Sequence, residues 1–384
     1  MLQLTQGQEK ALKIAVERYK NKEAYTVING FAGVGKSTLV QYIIDALNLS
    51  EDDVAYATLT GKAALVLRNK GCKNAVTLHK LLYIPKKIKD STEIEFIPRD
   101  VLENRPKLIV VDEASMVSEE IFSLLLSHKV HVVFLGDSFQ LPAISASANI
   151  LDKPHVTLTE ITRQALDSPI IRLSMDIRDG KALYYGGPKE ARIMPKEKVY
   201  DRLLLGADII LCGKNATRHE INKSVRKLKW GDKYQDGPLN GDTLICLQNY
   251  WRITDENDET PLVNGMIGTV SNISISETKL LKPKLTAKFV NETGESFSKA
   301  KINIDYQMLT KHEPTVNDSN WRNFYKVQKP LLFDYASCIT THKSQGSQWE
   351  KVLVFSEVMG DKEYYYRWLY TSITRASERC VVVI

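Results

Sequence analysis

Residues 30–37 read Gly-Phe-Ala-Gly-Val-Gly-Lys-Ser, a combination that could hold the phosphates of a nucleotide. Glycines let the backbone curl so that several N–H groups point inward at phosphate oxygens. Lys36 is then placed to reach the β- and γ-phosphates, and the hydroxyl of Ser37 to ligate Mg²⁺. The residues expected to contact the nucleotide in this loop are Gly30, Ala32, Gly33, Val34, Gly35, Lys36, Ser37 and Thr38.

The flanking segments supply the elements that such a loop needs. Residues 25–28 form an apolar run that predicts a short buried strand, and residues 38–47 predict a helix with an apolar stripe. The positive end of that helix would add its dipole to the phosphate site. The alternative is a chance match, and the strand–loop–helix context argues against it. The sequence therefore predicts nucleotide binding.

Two adjacent carboxylates form the second candidate site. Asp112 and Glu113 follow residues 108–111, an apolar run that predicts another buried strand. Asp112 would hold the Mg²⁺ that Ser37 also ligates, and Glu113 would orient and activate an attacking water. Unpaired charge at the end of a buried strand is costly, so a purely decorative pair is disfavoured.

A further polar segment follows the apolar run at residues 130–135. Gln140 lies in this segment and could contact the γ-phosphate, although an ordinary Gly-Asp turn explains the sequence as well. Predicted strands near residues 27, 55, 110 and 133 thus all end in residues that could do chemistry. This recurrence predicts a doubly wound parallel sheet with ligands at its carboxyl edge.

Small hydroxyl and basic residues follow the second predicted strand. Thr60, Gly61 and Lys62 could receive a nucleic-acid backbone, and so could Thr77 and His79 a little further on. Simple helix capping explains both segments equally well.

Two other features permit a functional and a neutral interpretation. Gln8 lies in the first turn of a helix predicted from Thr5 to Lys20, where its amide could read an adenine edge or simply face solvent. Residues 85–98 predict a β-hairpin inserted in the first domain. Its Phe96 could act as a wedge between duplex strands or fold onto the core.

Composition limits the class of protein. The 384 residues carry a net charge of +6, which permits a basic groove without demanding one. Five scattered cysteines without a C-x-x-C pair argue against a zinc knuckle or a disulfide scaffold and for a reducing compartment. No signal peptide or membrane-span pattern is visible, so we expect a cytoplasmic protein with no membrane partner.

The predicted secondary-structure pattern changes twice in the second half of the chain. Strand and helix signals continue through residues 151–240, and short β-runs with turn signals follow from 241 to 330. The β-runs predict a small antiparallel, barrel-like insertion. The α/β pattern returns in residues 331–384.

Five segments carry a resemblance to a known family. Gly-Phe-Ala-Gly-Val-Gly-Lys-Ser-Thr (30–38), Val-Val-Asp-Glu-Ala-Ser-Met (110–116), Leu-Gly-Asp-Ser-Phe-Gln-Leu-Pro (135–142), Thr-His-Lys-Ser-Gln-Gly (341–346) and Tyr-Thr-Ser-Ile-Thr-Arg-Ala (370–376) follow one another in the family's order. They look like motifs I, II, III, V and VI of superfamily 1 helicases. Over nearly its whole length, the chain resembles the RecD-like branch of that superfamily.

The resemblance implies roles for individual residues. Gln8 matches the adenine-reading glutamine, and Arg163 and Arg375 match two arginines that the family brings from its second RecA-like domain to the γ-phosphate. The residues matching motifs that contact the single-strand backbone are Thr60, Thr77, His79, His342 and Lys343.

The resemblance also implies a fold. It predicts a first RecA-like domain at residues 1–150, with the hairpin at 85–98 as an inserted wedge. It predicts a second RecA-like domain from residues 151–240 and 331–384, and an inserted SH3-like β-barrel at 241–330.

The function implied is an ATP- and Mg²⁺-dependent DNA helicase that moves 5′ to 3′ on single-stranded DNA and unwinds duplexes. It would act as a monomer at single-/double-strand junctions, with replication, recombination or repair proteins as candidate partners. DNA and polarity come from the resemblance alone. Two alternatives stay open: a non-helicase P-loop ATPase or kinase, which leaves Arg375 idle, and a nucleic-acid loading module that uses ATP as a switch.

Overall fold

Parallel strands flanked by helices make up most of the N-terminal half of the chain. The computed structural model describes residues 4–69, 71–87, 94–142, 148–256, 261–278, 281–292, 294–312 and 330–384. Packing divides the chain into two units. The first unit comprises Met1–Ile193, Gln345–Gln348 and Val358–Val381, and the second comprises Met194–Ser344, Trp349–Glu357 and Val382–Ile384.

The first unit alternates strands and helices. Its helices are α1 (Gln6–Lys20), α2 (Lys36–Ala46), α3 (Gly61–Asn69), α4 (Leu78–Leu82), α5 (Glu119–Ser127), α6 (Arg163–Leu166), α7 (Pro169–Arg178) and, late in the chain, α12 (Lys362–Ile373). Its strands are β1 (Tyr25–Gly30), β2 (Val54–Thr58), β3 (Val76–Thr77), β4 (Tyr83–Lys87), β5 (Ile94–Pro98), β6 (Leu108–Val111), β7 (His131–Gly136) and β8 (Val156–Leu158). Strands β9 (Ala191–Met194) and β20 (Ala376–Val383) cross the division between the units.

Six strands of the first unit form one parallel sheet in the order β3-β2-β6-β7-β1-β8. Successive residues of β1 point to opposite faces: Val27 joins one apolar cluster and Ile28 the other. Because both faces are covered, the central strands are buried and mostly apolar, as expected for a parallel sheet. This arrangement confirms the predicted α/β fold with parallel strands.

Strand β8 lies just beyond the predicted domain boundary at residue 150. Ile28 pairs with Val156, and Gly30 pairs with Leu158, so β8 extends the first sheet at its edge. The segment from 151 to 193 therefore groups by packing with the P-loop sheet. The domain boundaries drawn from the resemblance stay a prediction.

The second unit contains a parallel and an antiparallel part. Its helices are α8 (Asp201–Gly206), α9 (Asn215–Trp230), α10 (Tyr306–Lys311) and α11 (Thr341–Ser344). Its strands are β10 (Ile209–Cys212), β11 (Thr243–Cys246), β12 (Tyr250–Thr254), β13 (Pro261–Leu262), β14 (Ile267–Thr278), β15 (Leu281–Asn291), β16 (Ser296–Ile304), β17 (Phe333–Tyr335), β18 (Cys338–Thr340) and β19 (Trp349–Phe355).

Strands β18, β10 and β19 are neighbours and run parallel. Asn222 of α9 fixes the entry to β18: its side chain donates to the carbonyls of Tyr335 (3.2 Å) and Cys338 (2.8 Å) and accepts from the Cys338 N–H (2.8 Å). One buried amide therefore ties the end of β17 and the start of β18 to the same helix.

The antiparallel part is a five-stranded sheet in the order β16-β15-β14-β11-β17, packed around Phe289, Phe297 and Phe333. This sheet agrees with the antiparallel strands expected for residues 241–330. Its last strand, β17, lies a few residues beyond that range. Strands β12 and β13 form a separate antiparallel pair.

A second antiparallel pair joins β4 to β5, with Tyr83 opposite Pro98 and Lys87 opposite Ile94. This is the segment predicted as a hairpin, and its residues 88–93 lie outside the described residues. Phe96 is half-buried and packs against one of the first unit's apolar clusters. That packing corresponds to the second interpretation of Phe96, in which the ring folds onto the core.

Across the described part of the chain, no helix combines the length and apolar character needed to cross a membrane. All five cysteines are free thiols, and Cys212 and Cys338 are buried with their Sγ atoms 3.6 Å apart.

Candidate nucleotide-binding and hydrolysis site

The loop between β1 and α2 has the curled backbone that the motif predicts. Gly33 and Gly35 have φ angles of 82° and 75°, in the left-handed region that favours glycine. A Cβ on Gly35 would also lie 2.5 Å from Nε2 of Gln8, so a side chain at this position would displace the Gln8 amide. Sequence and steric requirement therefore agree at both glycines.

Lys36 folds back over this loop. Its Nζ donates to the carbonyl oxygens of Gly30 (2.5 Å) and Phe31 (3.2 Å). Ser37 and Thr38, in the first turn of α2, are exposed. The loop thus presents a cation, two hydroxyls and the N-terminus of an eleven-residue helix on one stretch of chain.

Gln8 is buried against the same loop. Its Nε2 donates to the Val34 carbonyl (2.9 Å), and its Oε1 accepts from the Thr5 N–H (3.0 Å). The second bond completes a capping box at the start of α1, since the Thr5 hydroxyl accepts from the Gln8 N–H. Gln8 is therefore not a solvent-facing residue, and its adenine-reading role stays a prediction.

Asp112 and Glu113 follow β6 at the carboxyl edge of the sheet. Glu113 adopts a left-handed backbone, with φ 56° and ψ 44°, which is strained for a residue with a side chain. Its N–H donates to Oδ1 of Asp112 at 2.9 Å. This turn places two carboxylates side by side at the end of a buried strand.

The surroundings of Glu113 disfavour its charged form. Burial raises the pKa of this carboxyl, and so do the carboxylates of Asp112 and Asp137, whereas the cations of Arg375 and Lys36 lower it. The net effect is a raised pKa, as expected of a general base tuned towards neutral pH.

Arg375 forms an ion pair with Glu113. The distance from its Nη1 to Glu113 Oε1 is 3.6 Å, and the guanidinium is buried. It also donates to the carbonyls of Thr371 (3.1 Å) and Ser347 (3.4 Å). Backbone carbonyls of the protein thus hold Arg375 beside the candidate base.

A cavity of about 160 Å³ opens at this point. Its lining combines the two carboxylates with the arginine and with residues of β2, α3 and the 346–348 segment. The lining residues are Thr58, Ala63, Val66, Leu67, Asp112, Glu113, Gly346, Ser347, Gln348, Thr374 and Arg375.

Sequence reasoning missed three residues of α12 that contact the segment after β7. Arg367 donates to the carbonyls of Ser138 (2.8 Å) and Gln140 (3.1 Å), and the Thr371 hydroxyl accepts from the Leu141 N–H (2.9 Å). The third residue, Tyr370, bonds both this segment and the loop after β1. The spacing of these residues with Arg375 places them on one helical face, a signal that could have been found.

Gln140 lies in this bonded segment. Its side chain is buried, and its Oε1 has no hydrogen-bond partner among the described residues. Its position at the strand end agrees with the sequence prediction, and contact with a γ-phosphate stays a prediction.

Arg163 begins α6, and α6 belongs to the first unit by packing. The segment that carries Arg375 belongs to the first unit as well. The side chain of Arg163 lies outside the described residues, as does that of Lys62 in α3. The assignment of both arginines to a second RecA-like domain stays a prediction.

The candidate DNA-contacting residues of the first unit also cap helices. The Thr60 hydroxyl accepts from the Ala63 N–H (3.2 Å), and the Thr77 hydroxyl accepts from the Lys80 N–H (3.1 Å). His79 stacks on Tyr83 with ring centroids 5.8 Å apart. Capping uses each hydroxyl as an acceptor and leaves its proton available for a second partner.

The remaining DNA candidates, His342 and Lys343, lie in α11 of the second unit. Burial lowers the pKa of both side chains, and the neighbouring Arg218 also lowers that of Lys343. Partial desolvation of a cation in this way is compatible with a contact to an anionic backbone.

A separate cluster in the second unit has the residue types of a metal site. His219, His312 and Asp334 bring their ligand atoms within 4.8 Å of one another. The Arg218 guanidinium already donates to Asp334 (2.6 Å) and contacts His219 Nε2 (3.1 Å). A cation would meet this fixed positive charge, so the cluster is better explained as a buried ion pair with flanking imidazoles.

Two family models match the chain. Residues 3–189 match an AAA domain, and residues 335–383 match a UvrD-like helicase C-terminal domain. The two matches take in the segments that carry the loop, the carboxylates and Arg375.

Curated relatives include two named helicases. The chain is 30% identical over 195 residues to the ATP-dependent DNA helicase dda of Enterobacteria phage T4, covering 47% of this chain and 44% of that protein. It is 25% identical over 382 residues to the ATP-dependent RecD2 DNA helicase of Deinococcus radiodurans, covering 92% of this chain and 46% of that protein. The chain thus spans less than half the length of either relative.

Solved structures extend the likeness to the fold. A Bacteroides Pif1 bound to single-stranded DNA superposes with a TM-score of 0.54 at 19% identity, covering 100% of this chain and 92% of that chain. A structure of two coordinating Pif1 helicases at forked double-stranded DNA gives 0.55 at 20% identity, covering 99% and 92%. Motifs, family matches and fold therefore agree: the chain resembles superfamily 1 helicases of the RecD-like and Pif1-like kind, and phage Dda is among the proteins it resembles.

Proposed function

We propose that this chain is an ATP-dependent DNA helicase that moves 5′ to 3′ on single-stranded DNA and unwinds duplexes. One observation carries the proposal: Arg375 Nη1 lies 3.6 Å from Glu113 Oε1 on the wall of the cavity that Asp112 also lines. A base, a metal-binding carboxylate and an arginine at one cavity are the parts that phosphoryl transfer to water needs.

The donor set suits Mg²⁺ with a nucleotide. The Ser37 hydroxyl and the Asp112 carboxylate offer the hard oxygen atoms that this ion prefers as ligands. Ser37 lies in the first turn of α2, and Asp112 directly follows β6. Bound Mg²⁺ would neutralise charge on the β- and γ-phosphates. Lys36 would exchange its carbonyl partners, Gly30 and Phe31, for phosphate oxygens.

Hydrolysis then depends on the chain's own groups. Glu113, with its raised pKa, would take the proton of the attacking water. Arg375 would leave Glu113 for the γ-phosphate, where it stabilises the charge that develops. We propose that Gln8 contacts the adenine and that Gln140 and Arg163 contact the γ-phosphate.

We propose that DNA is bound through contacts of polar groups with its backbone. Contacts to the sugar-phosphate backbone carry no sequence information, so binding should be general and strongly salt-dependent. The residues proposed to make them are Thr60, Gly61, Lys62, Thr77, His79, His342 and Lys343, whereas Phe96 is proposed to contact DNA only as part of the wedge. The β4–β5 pair is the proposed wedge, and the antiparallel part of the second unit is the proposed SH3-like barrel.

Named relatives support the substrate and the activity. The phage T4 and Deinococcus proteins are ATP-dependent DNA helicases by name, and the Pif1 structures concern single-stranded and forked DNA. We propose that single-stranded DNA and its junctions with duplex DNA are the partners here as well.

Two assays test the proposal in sequence. ATP hydrolysis is measured with and without single-stranded DNA, and we expect DNA to raise the rate. Strand displacement is then measured on matched duplexes with a 5′ or a 3′ overhang, in DNA and in RNA, and we expect ATP-driven displacement of 5′-tailed DNA.

Lys36→Ala is the control in both assays. It should abolish hydrolysis and leave single-strand binding intact, because different residues carry the two tasks. Hydrolysis without stimulation by nucleic acid would point to a non-helicase ATPase. DNA binding without ATP-driven displacement would point to a loading module.

A further inference from the structure

The hydroxyl of Tyr370 joins two parts of the candidate hydrolysis site. It accepts a hydrogen bond from the Ala32 N–H at 2.8 Å and donates one to Asp137 Oδ2 at 2.7 Å. Ala32 is the third residue of the phosphate-binding loop, and Asp137 begins the segment that contains Gln140. The side chain of Tyr370 is fully buried, and its ring meets Phe139 edge-on with centroids 5.1 Å apart.

One peptide unit of the loop is bonded at both ends. The Phe31 carbonyl accepts from Lys36 Nζ (3.2 Å), and the N–H of the same peptide, on Ala32, donates to Tyr370. Lys36 is the residue that reaches the β- and γ-phosphates in such loops. The Ala32 N–H therefore belongs to the part of the loop whose N–H groups donate hydrogen bonds to phosphate oxygens.

The proton on the Tyr370 hydroxyl defines the direction of its two hydrogen bonds. Burial raises the pKa of Tyr370, and the neighbouring Asp137 carboxylate raises it further, so the phenol keeps its proton. Asp137 is buried too, and its Oδ1 accepts from the Phe139 N–H (3.0 Å). Donation to a buried carboxylate polarises the phenol oxygen and makes it a better acceptor for Ala32.

We propose that the Tyr370 hydroxyl occupies the place of a phosphate oxygen on the Ala32 N–H and that its displacement by ATP reports the γ-phosphate to the Asp137 segment. This inference rests on the proposed function. It adds a positioning role for Tyr370, which the proposed function does not contain. ADP lacks the γ-phosphate and leaves the hydroxyl in place. ATP takes over the N–H, and the released hydroxyl keeps its bond to Asp137.

Helix α12 connects Tyr370 to other residues of the candidate hydrolysis site. Arg367 and Thr371, one turn apart, bond the same segment as Tyr370, through Ser138, Gln140 and Leu141. Arg375 follows the end of α12, donates to the Thr371 carbonyl and contacts Glu113. A shift of Tyr370 would act on the helix whose end holds this arginine.

Equilibrium binding of two nucleotides to Tyr370→Phe tests the inference. Affinities for Mg-ADP and for a non-hydrolysable ATP analogue with an imido bridge are measured by titration calorimetry. Removing the competing hydroxyl should raise the analogue-to-ADP affinity ratio by about 2- to 10-fold, the equivalent of one net hydrogen bond. Stimulation of ATP hydrolysis by single-stranded DNA should fall in the same variant. The reason is that, without the hydroxyl, binding of the γ-phosphate no longer affects the Asp137 segment.

Tyr366→Phe makes the same chemical change on the same helix outside this contact, and its affinity ratio should equal that of the wild type. Should Tyr370→Phe fail to fold, Asp137→Asn serves, since a neutral acceptor weakens the polarisation of the phenol and should raise the ratio by a smaller factor.

The possible results separate the two proposals. An unchanged affinity ratio in Tyr370→Phe, or a parallel change for both nucleotides, overturns the role of Tyr370. Wild-type protein that binds both nucleotides without DNA-stimulated hydrolysis overturns the helicase proposal, while the affinity ratio still decides the role of Tyr370. Wild-type protein that binds neither nucleotide overturns both.

Discussion

The guanidinium of Arg375 lies 3.6 Å from the carboxyl of Glu113, and the two residues are far apart in the chain. Burial favours the neutral form of Glu113, and Arg375 favours its charged form. The pair therefore holds the candidate base and the candidate arginine finger in one place. The same arginine can both tune the base and, after ATP binds, stabilise the charge on the γ-phosphate.

Arg375→Ala should retain ATP binding and lose most turnover, by about 10³-fold if it acts as a finger. The residual activity should also rise with pH over a higher range than in wild type. The reason is that Arg375 lowers the pKa of Glu113, and its removal lets burial raise that pKa further. Single-turnover hydrolysis across pH measures both effects.

Arg379→Ala is the matched control, because Arg379 is an exposed arginine on the strand that follows α12. It should leave rate and pH profile unchanged. Full turnover in Arg375→Ala would show that this residue is not a finger.

Glu113→Gln removes the candidate base and keeps the shape of the side chain. Hydrolysis should fall by about 10²- to 10⁴-fold, the usual contribution of a positioned base. In wild type, the reaction should gain rate as pH rises through the raised pKa of Glu113. Steady-state ATP hydrolysis across pH measures this limb, which should be absent from the residual activity of the variant.

The same substitution predicts a change in stability of known sign. The folded protein holds the Glu113 proton more tightly than the unfolded chain does, so stability falls as pH rises above the ordinary value of 4.5. Glu113→Gln should therefore raise the melting temperature at about pH 8 and have little effect at about pH 4. Exposed Glu378→Gln should do neither. A variant that melts lower than wild type at neutral pH would contradict this reading of the carboxyl.

The local elements of this site could be predicted from the sequence, and the contacts between them could not. The loop at 30–37, its strand and helix, and the carboxylates after β6 are each encoded within about ten residues by apolar runs and turn chemistry. Tyr370, the first residue of the motif at 370–376, and Arg367 were assigned no role because their partners lie 338 and 229 positions away, and a tyrosine or arginine on a helix has many explanations.

Two other features of the fold were beyond sequence reasoning for a different reason. Strand β8 has only three residues, too few to show a period, and its pairing with β1 depends on an edge that the sequence does not mark. Gln8 reads as a typical exposed glutamine, because its burial comes from a capping box and a contact with Val34 that only the packed loop creates.

Gln8→Ala should destabilise the first unit by about 1–2 kcal/mol, since it removes a capping-box acceptor and a buried donor to the Val34 carbonyl. It should also weaken ATP binding, because the loop loses a support beside Gly35. Thermal melting and nucleotide titration measure the two effects. Gln41→Ala changes an exposed glutamine of α2 and should alter neither.

Comparison of ATP with GTP separates support of the loop from adenine reading. If Gln8 only supports the loop, Gln8→Ala should weaken both nucleotides equally. If it also reads the adenine edge, the preference for ATP over GTP should fall in the variant. Unchanged melting and unchanged binding together would contradict both roles.

Asp242→Ala should be among the most damaging single changes in the second unit. Asp242 is buried and accepts from Arg226 Nε (3.1 Å), Trp230 Nε1 (3.0 Å) and the Leu239 N–H (2.8 Å). Removing it leaves a buried guanidinium without its carboxylate, which costs about 3–5 kcal/mol. Glu256→Ala removes an exposed partner of Lys288 in the same unit and should cost less than about 1 kcal/mol.

Urea denaturation followed by tryptophan fluorescence measures this difference, and Trp230 lies in the affected cluster. The expected result is a lower urea midpoint for Asp242→Ala than for Glu256→Ala. Because the cluster ties α9 to the start of β11, the antiparallel part should lose its anchor before the P-loop sheet unfolds. A shift in Asp242→Ala no larger than that in Glu256→Ala would mean that Arg226 finds other partners, among which the Gly237 carbonyl already accepts a hydrogen bond from it.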